Sequence, residues 1–531
     1  MSGMKLSEII DKRLLEVKES RAKRLTQIIE DVDDKTKQEV LRKYHPDYID
    51  DLFTPLITGK NKGTKVVKEF SDLVSSHSIV ERVKIDQSAS FDTDVLIVGG
   101  GGAGITAAIF AHDAGAKVTV VTKLRLGDSN TIMAQGGLQV SIGRDDTPIR
   151  HFKDSMKGGG NVNDPKLLRI LVEEGPLSVA WLEKIGVILN KDENDDFALK
   201  KGGGASRKRL VYAKDYTGLE ITRNLINELT KREGIKVIEF SPVAELLTDD
   251  NGTCTGAVVI DYDNDHFFNI RAKTTVLATG GSGRLHIGGF PSSNHFGSTG
   301  DGMVNAYRAG AEVVDMDSFQ YHPTGVVFPS QMIGLLVTEA IRSEGGHLVN
   351  ALGKRFVNET QTRDFVAASI IKECREGRGI AVDDKYTGVW LDIPALDQAN
   401  GNDFVRKRFP AMFRQFKRFG WDIRKKPVLV FPTLHYQNGG IKVDEYGETA
   451  VKNLYAVGET VGGIHGRNRL MGNSLLELFV FGRIIGKKAA ERAEEIDFGD
   501  VGTKHLENIE YRESQYSSSP LLLPDYIRKD F

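Results

Sequence analysis

Residues Asp94–Val98 (DVLIV) run directly into Gly99-Gly100-Gly101-Gly102-Ala103-Gly104, and the stretch ITAAIFAHDAG follows. A short apolar run bounded by glycines reads as a buried strand, and the segment after the glycines reads as a helix. Lys117–Thr122 (KVTVVT) supplies a second strand, all within the about thirty residues that a nucleotide-binding βαβ unit needs. The spacing Gly99-x-Gly101-x-x-Gly104 has a physical meaning at each glycine. The first makes the tight turn, the second lets a pyrophosphate approach the backbone, and the third lets helix and strand close on each other. The helix N-terminus then offers unsatisfied N–H groups and the positive end of its dipole to phosphate. Further strands are predicted at Lys236–Glu239, Gly256–Ile260 and Thr275–Ala278. The expectation is an α/β nucleotide-binding domain with helices around a largely parallel sheet.

Thr122-Lys123 stands where a dinucleotide site for NAD carries a carboxylate near the end of its second strand. A lysine ammonium cannot accept from ribose hydroxyls, so NAD is disfavoured. Glycine accounts for 56 of the 531 residues and clusters at 99–104, 136–137, 158–160, 202–204, 280–283, 439–440 and 462–466. Without a collagen-like period, such clusters mark turns where backbone comes close to a neighbour.

Basic and acidic residues cancel, 71 against 73, which removes the electrostatic reason to expect a nucleic-acid partner. No apolar run is long enough for a membrane helix, and the charged first twenty residues are not those of a secretory or transit leader. Cys254 and Cys374 are the two cysteines, too few for a disulfide framework, a four-cysteine zinc site or a Cys-ligated iron–sulfur cluster. The expectations are a cytoplasmic chain with no metal site and no direct membrane span. In residues 1–90, Ile9, Ile10, Leu14, Leu15, Val17, Leu25, Ile28, Ile29 and Val32 recur at helical spacing among charges, and Lys60–Gly63 reads as a turn. This segment is either a helical extension packed on the main body or a docking surface for another subunit.

Nine further segments follow in order. They are Ser129-Asn130-Thr131…Ala134-Gln135-Gly136-Gly137, Ala278-Thr279-Gly280-Gly281, Thr299-Gly300-Asp301-Gly302, His322-Pro323-Thr324-Gly325, Thr338-Glu339-Ala340-Ile341-Arg342, Thr362-Arg363-Asp364, His435-Tyr436…Gly439-Gly440, Asn453–Glu459 (NLYAVGE) and His465–Arg469 (HGRNR). With them the chain resembles the succinate dehydrogenase/fumarate reductase flavoprotein family over roughly three quarters of its length; L-aspartate oxidase is a sister enzyme with many of the same motifs. The resemblance implies a Rossmann-like FAD-binding domain split into 91–317 and 433–490, an inserted α+β capping domain at 318–432, a helical N-terminal extension at 1–90 and a short C-terminal tail at 491–531. It implies FAD held by Gly99, Gly101, Gly102, Ala103 and Gly104; by Thr122, Lys123, Ser129, Asn130, Thr131, Ala134, Gln135, Gly136 and Gly137; and by Ala278, Thr279, Gly280, Asp301, Glu459, Ser474 and Leu475. Members that oxidise succinate in membrane complexes have a flavin-bonded histidine at position 130. Asn130 cannot form that bond, so the FAD is expected to be non-covalent, which favours alkene reduction or amino-acid oxidation.

By the same resemblance, His322 and Thr338 hold one carboxylate of a four-carbon dicarboxylate while His435 and Arg469 hold the other, a task suited to the guanidinium fork. Arg363 is the implied proton donor, re-protonated through Glu339 and Arg342, with an Arg363-bound water as the alternative donor. The expected activity is FAD-dependent reduction of fumarate or a closely related unsaturated dicarboxylate. Amino-acid oxidation of the L-aspartate oxidase kind is the alternative, as is a non-catalytic flavin electron-transfer role in a larger complex. L-aspartate oxidases carry a glutamate where Gly202 aligns, and no carboxylate lies between Lys200 and Arg209 here. Met471 stands where a small residue is expected after Arg469-Leu470. The short tail and the N-terminal extension depart from the family pattern and bear on partner docking. Electrons must come from elsewhere, so an electron-donating protein subunit, iron–sulfur or flavin, is the expected partner.

Overall fold

The computed structural model describes residues 6–522 apart from 89, 265, 286, 383–385 and 517–518, with side chains from Arg13 onward. Ile9 and Ile10 therefore lie outside the described side chains, as do residues 1–5 of the extension and 523–531 of the tail.

Val95–Val98 are fully or almost fully buried because the strand Phe91–Val98 is central in a seven-stranded sheet. Its neighbours Val118–Val121 and His266–Leu277 pair with it in parallel. Ile235–Ile238 and Leu454–Ala456 extend the parallel part. Cys254–Asp261 and Val243–Thr248 add antiparallel strands. The sheet is thus parallel where long crossovers feed it and antiparallel where chain-adjacent strands fold back on each other. Helices Gly102–Asp113 and Asn473–Glu494 pack together on it. In the first of these, Gly102–Ile109 and Ala111 are buried and Phe110 is only partly exposed, so that helix is apolar all round rather than amphipathic.

A second, antiparallel sheet contains Phe319–Phe328, Val428–Gln437, Thr387–Asp392 and His347–Val349, with Ile380–Ala381 at its margin. Helix Arg363–Arg375 lies on it, burying Phe365, Val366 and Ile370. Strand Val428–Gln437 continues toward the first sheet, and its last residues lie beside Glu459.

The N-terminal segment packs on the second sheet. Val17 joins a core with Trp390. Arg21 donates to Asp392 at 2.7 Å, and Arg24 reaches the same carboxylate, which is fully buried. The helical spacing that runs on to Val32 is not all helix: the helix ends at Leu25, and Ile28 is 88% exposed. Arg24 is anchored inward, and Asp33 starts a new helix, Asp34–Tyr44, by accepting from the Thr36 N–H at 2.8 Å, as an N-cap does. Lys60–Gly63 lies in the turn between strands Phe53–Pro55 and Lys65–Val67. The tail folds back, burying Leu506, Tyr516, Leu521 and Leu522.

Removing one partner of a buried charge pair leaves the other desolvated and uncompensated. Asp392→Asn is accordingly expected to destabilise the protein by about 3–5 kcal/mol, read as a lowered midpoint in thermal or urea unfolding.

Candidate active site

The cavity begins where the strand Phe91–Val98 ends. Gly99 takes φ +119, and any side chain there would strike the Ala278 carbonyl. A methyl group at Gly104 would sit on the Gly99 carbonyl oxygen, so the helix can start only with glycine at that contact. No side chain caps this helix at Gly101, which leaves N–H groups for a ligand. The Gly102 N–H donates to Thr131 Oγ1 at 3.2 Å.

From this loop a cavity of about 580 Å³ runs to the second sheet. Gly99, Gly101, Gly102, Ala103, Thr122, Lys123, Ser129, Asn130, Thr131, Ala134, Gln135, Gly136, Gly137, Ala278, Thr279, Gly280, Asp301, Glu459, Ser474 and Leu475 line it. So do His322, Thr338, Glu339, Arg363, His435 and Arg469 at its other end. Two expected site residues do not line it: Gly104 lies beneath the loop as a packing glycine, and Arg342 stands behind Glu339 at 3.6 Å.

At the nucleotide end Lys123 Nζ donates to Thr299 Oγ1 at 2.7 Å and pairs with Asp301. The Thr299 hydroxyl and the Leu522 N–H also donate to Asp301, at 2.8 and 3.3 Å. Further along, Glu459 accepts from the Gln437 N–H at 3.1 Å and from Asn130 Nδ2 at 3.3 Å. Burial pushes the Glu459 carboxyl up to about 7.

The other end is built by a bulge. Gln320 faces Tyr436, but Tyr321 faces Leu434, so His435 is the extra residue, and bulges re-aim side chains in this way. The His435 and His322 rings come within 5.2 Å, centroid to centroid. Burial, then the nearby Arg363, hold both imidazoles well below their ordinary value, so both are neutral. The Thr324 N–H donates to His322 Nδ1 at 3.3 Å. The proton therefore sits on Nε2, which has no protein partner and is a free donor. His435 Nδ1 bonds Ser293 Oγ at 2.9 Å. Thr338 caps the short helix Glu339–Ser343, accepting from the Ala340 N–H at 3.4 Å.

Arg363 donates from Nε to Glu339 at 2.6 Å. Burial opposes the Glu339 charge, yet Arg363 and Arg342 outweigh it and hold this carboxyl down at about 2. Gln320 was not anticipated. Its Oε1 accepts from both Arg363 and Arg469 at 2.8 Å, and its Nε2 donates to the Arg469 carbonyl at 2.6 Å. The available signal was strand period: Gln320 is two residues before His322 and shares its face. Also unanticipated is Glu477, which accepts from Tyr436 at 2.5 Å and bonds His465 at 2.6 Å. Arg469 lies over the Tyr436 ring at 4.4 Å, donates to Ser474 at 2.8 Å, and is brought down to about 10 by burial and then by Arg363.

A sequence-family profile for the FAD binding domain matches residues 94–475. A fumarate reductase (CoM/CoB) flavoprotein from Methanothermobacter marburgensis, itself one subunit of that enzyme, is 40% identical over 417 residues, 77% of this chain and 74% of its own. An L-aspartate oxidase from Streptomyces coelicolor is 37% identical over 446 residues, 81% of this chain and 74% of its own. Among solved structures, a variant of FrdA from E. coli quinol fumarate reductase matches with a TM-score of 0.72 and 33% identity, across 80% of this chain and 73% of its own. The chain belongs to the succinate dehydrogenase/fumarate reductase flavoprotein family. It is an FAD-dependent oxidoreductase, and the glycine cradle with its uncapped helix fits the FAD pyrophosphate. Among the described residues, no helix is long and apolar enough to cross a membrane.

Two outcomes follow for the cofactor end. Acid precipitation of the purified holoprotein is expected to release all FAD into the supernatant; yellow colour retained in the pellet would contradict this. Glu459 binds its proton more tightly folded than unfolded, so its contribution is complete below pH 4.5 and lost as pH rises through about 7. Apoprotein stability should fall across that window by an amount on the order of 3 kcal/mol, and Glu459→Gln should flatten the fall in urea titrations.

Proposed function

We propose that this chain reduces fumarate, or a closely related unsaturated dicarboxylate, to the saturated acid. The observation that carries the reading is the Gln320-bridged pair Arg363 and Arg469, facing two neutral histidines in one buried pocket. Bound FAD, when reduced, supplies the hydride. Gly99–Ala103 would hold its pyrophosphate, and Asn130, Glu459 and Ser474 the segments toward the ring.

His322, through its free Nε2–H, and Thr338 hold one carboxylate; His435 and Arg469 hold the other. A dianion clamped at both ends keeps the reacting carbons in a near-attack arrangement, and fixed donors stabilise the charge that develops. The alkene takes hydride on one carbon and a proton from Arg363 on the next, leaving a C–C single bond. Glu339, bonded to Arg363 Nε, then returns a proton with Arg342 behind it. Oxidation of an amino acid is a second reading, favoured by the aspartate oxidase relative and by Asn130. Two features weigh against it. A substrate ammonium would face Arg363 and Arg469, and the Glu339 carboxylate is already committed to Arg363. A Cβ at position 202 would also meet only Leu210 and Met471, apolar neighbours with no counter-charge. A purely electron-carrying role leaves the dicarboxylate clamp without a use. The electrons are proposed to come from a partner protein, iron–sulfur or flavin, in keeping with the fumarate reductase relative, which works within a larger enzyme.

The test is anaerobic. The flavin is reduced chemically, fumarate is added, and the return of the oxidised spectrum is followed. Rapid reoxidation is expected in the wild type, slowed about 10²–10⁴-fold in Arg363→Ala, the scale of a lost general acid, with FAD retained. A wild type that fumarate does not reoxidise overturns the reading, and peroxide formation with L-aspartate would favour the second.

A further inference from the structure

The N-terminal segment reaches the back of this site. Leu41 and Tyr44 pack on Ala368 and Ile371 of the helix that begins with Arg363, and Tyr44 donates to Glu376 at that helix's far end at 2.6 Å. The chain then turns at His45. Asp47 shares the Phe319 N–H between its two carboxylate oxygens, each at 3.3 Å, one residue before Gln320. The His45 ring meets the Tyr321 ring edge-on at 5.6 Å, one residue before His322. One short stretch thereby grips both elements that carry the clamp.

Within this contact two buried polar atoms lack protein partners. The Asp47 N–H donates to His45 Nδ1 at 3.3 Å, which places the ring proton on Nε2. His45 Nε2 and Asp364 Oδ1 are both without a hydrogen-bond partner. Burial brings the imidazole down to about 4, opposed first by the attraction of Asp364. A neutral donor and a carboxylate acceptor thus sit in one enclosed, mutually attractive environment, the setting in which a single water bridges two groups. Asp364 belongs to the first turn of the helix, next to Arg363, and no side chain caps that turn at Thr362.

We propose that His45 is a positioning residue for Arg363: its Nε2–H engages Asp364, directly or through one water, and fixes the rotation of the first turn so that Arg363 meets Glu339 and Gln320. This rests on the reading of Arg363 as proton donor. A misplacement of about 1 Å is worth about a hundredfold in rate, so holding this turn is a kinetic matter even where stability is unaffected.

The test compares His45→Leu, which fills the space without a donor, with His45→Gln, whose amide N–H reaches the position of Nε2. In the holoprotein, His45→Leu is expected to lower kcat for fumarate roughly ten- to a hundredfold with KM, FAD content and the thermal midpoint held. His45→Gln is expected to restore most of the rate. Hydrogen–deuterium exchange should show faster opening of peptides spanning 362–370 in His45→Leu alone. Unchanged rate and exchange in His45→Leu overturn the proposal, as does an equal loss in both variants accompanied by a fallen thermal midpoint. If the wild type itself fails to turn over fumarate, the functional reading falls, and the exchange comparison still decides whether His45 holds the turn.

Discussion

Arg342, Arg363 and Arg469 are all less than a tenth exposed, and they converge on one end of one cavity. Two like charges 4 Å apart repel by about 4 kcal/mol at the effective dielectric of a protein interior, and each also loses its hydration. The surroundings answer this charge by charge. Glu339 takes Arg363 and lies 3.6 Å from Arg342. Arg342 also donates to the Glu359 carbonyl at 2.5 Å, and the Tyr436 ring faces Arg469. Gln320 gives Arg363 and Arg469 one shared acceptor without adding a negative charge. The balance is left positive, and a dianionic substrate completes it.

The fold supplies this arrangement by joining its two sheets through a single strand. Val428–Gln437 starts in the antiparallel sheet, carries His435 at the bulge and Tyr436 beside Arg469, and ends at Gln437 on the Glu459 carboxylate. Clamp and cofactor pocket therefore share a rigid element, and a displacement at one is transmitted to the other through backbone rather than through a mobile loop. The bulge also explains why two histidines from neighbouring strands meet edge to face instead of lying on opposite faces of the sheet.

The glycine run Gly99–Gly104 was readable because each position answers to a steric demand that only glycine meets, and that demand fixed the strand, the helix and their contact. The clamp residues were readable through their ordered motifs, and all but Arg342 line the cavity. Gln320 carries no motif; its importance comes from two arginines that are 43 and 149 residues away in sequence. His45 and Asp47 were invisible for the same reason, since their partners are supplied by the tertiary fold. The helical spacing up to Val32 misled because amphipathic period cannot register an anchored Arg24 and a competing N-cap at Asp33.

Asn130 shows how the family pattern and the local physics meet. Its Nδ2 donates to Asn294 at 2.7 Å, Ser298 at 3.2 Å and Glu459 at 3.3 Å, while its Oδ1 accepts from the His295 N–H at 2.7 Å. An amide offers both a donor and an acceptor end, and here both are used to tie the segments 292–298 and 458–460 to the short helix Asn130–Met133. An imidazole bonded covalently to a flavin would leave one ring nitrogen for all of these contacts. The residue that withholds a covalent link thus serves as a three-way fastener of the pocket wall. Retention of FAD then depends on the shape of the cradle from Gly99 to Glu459 rather than on a single bond.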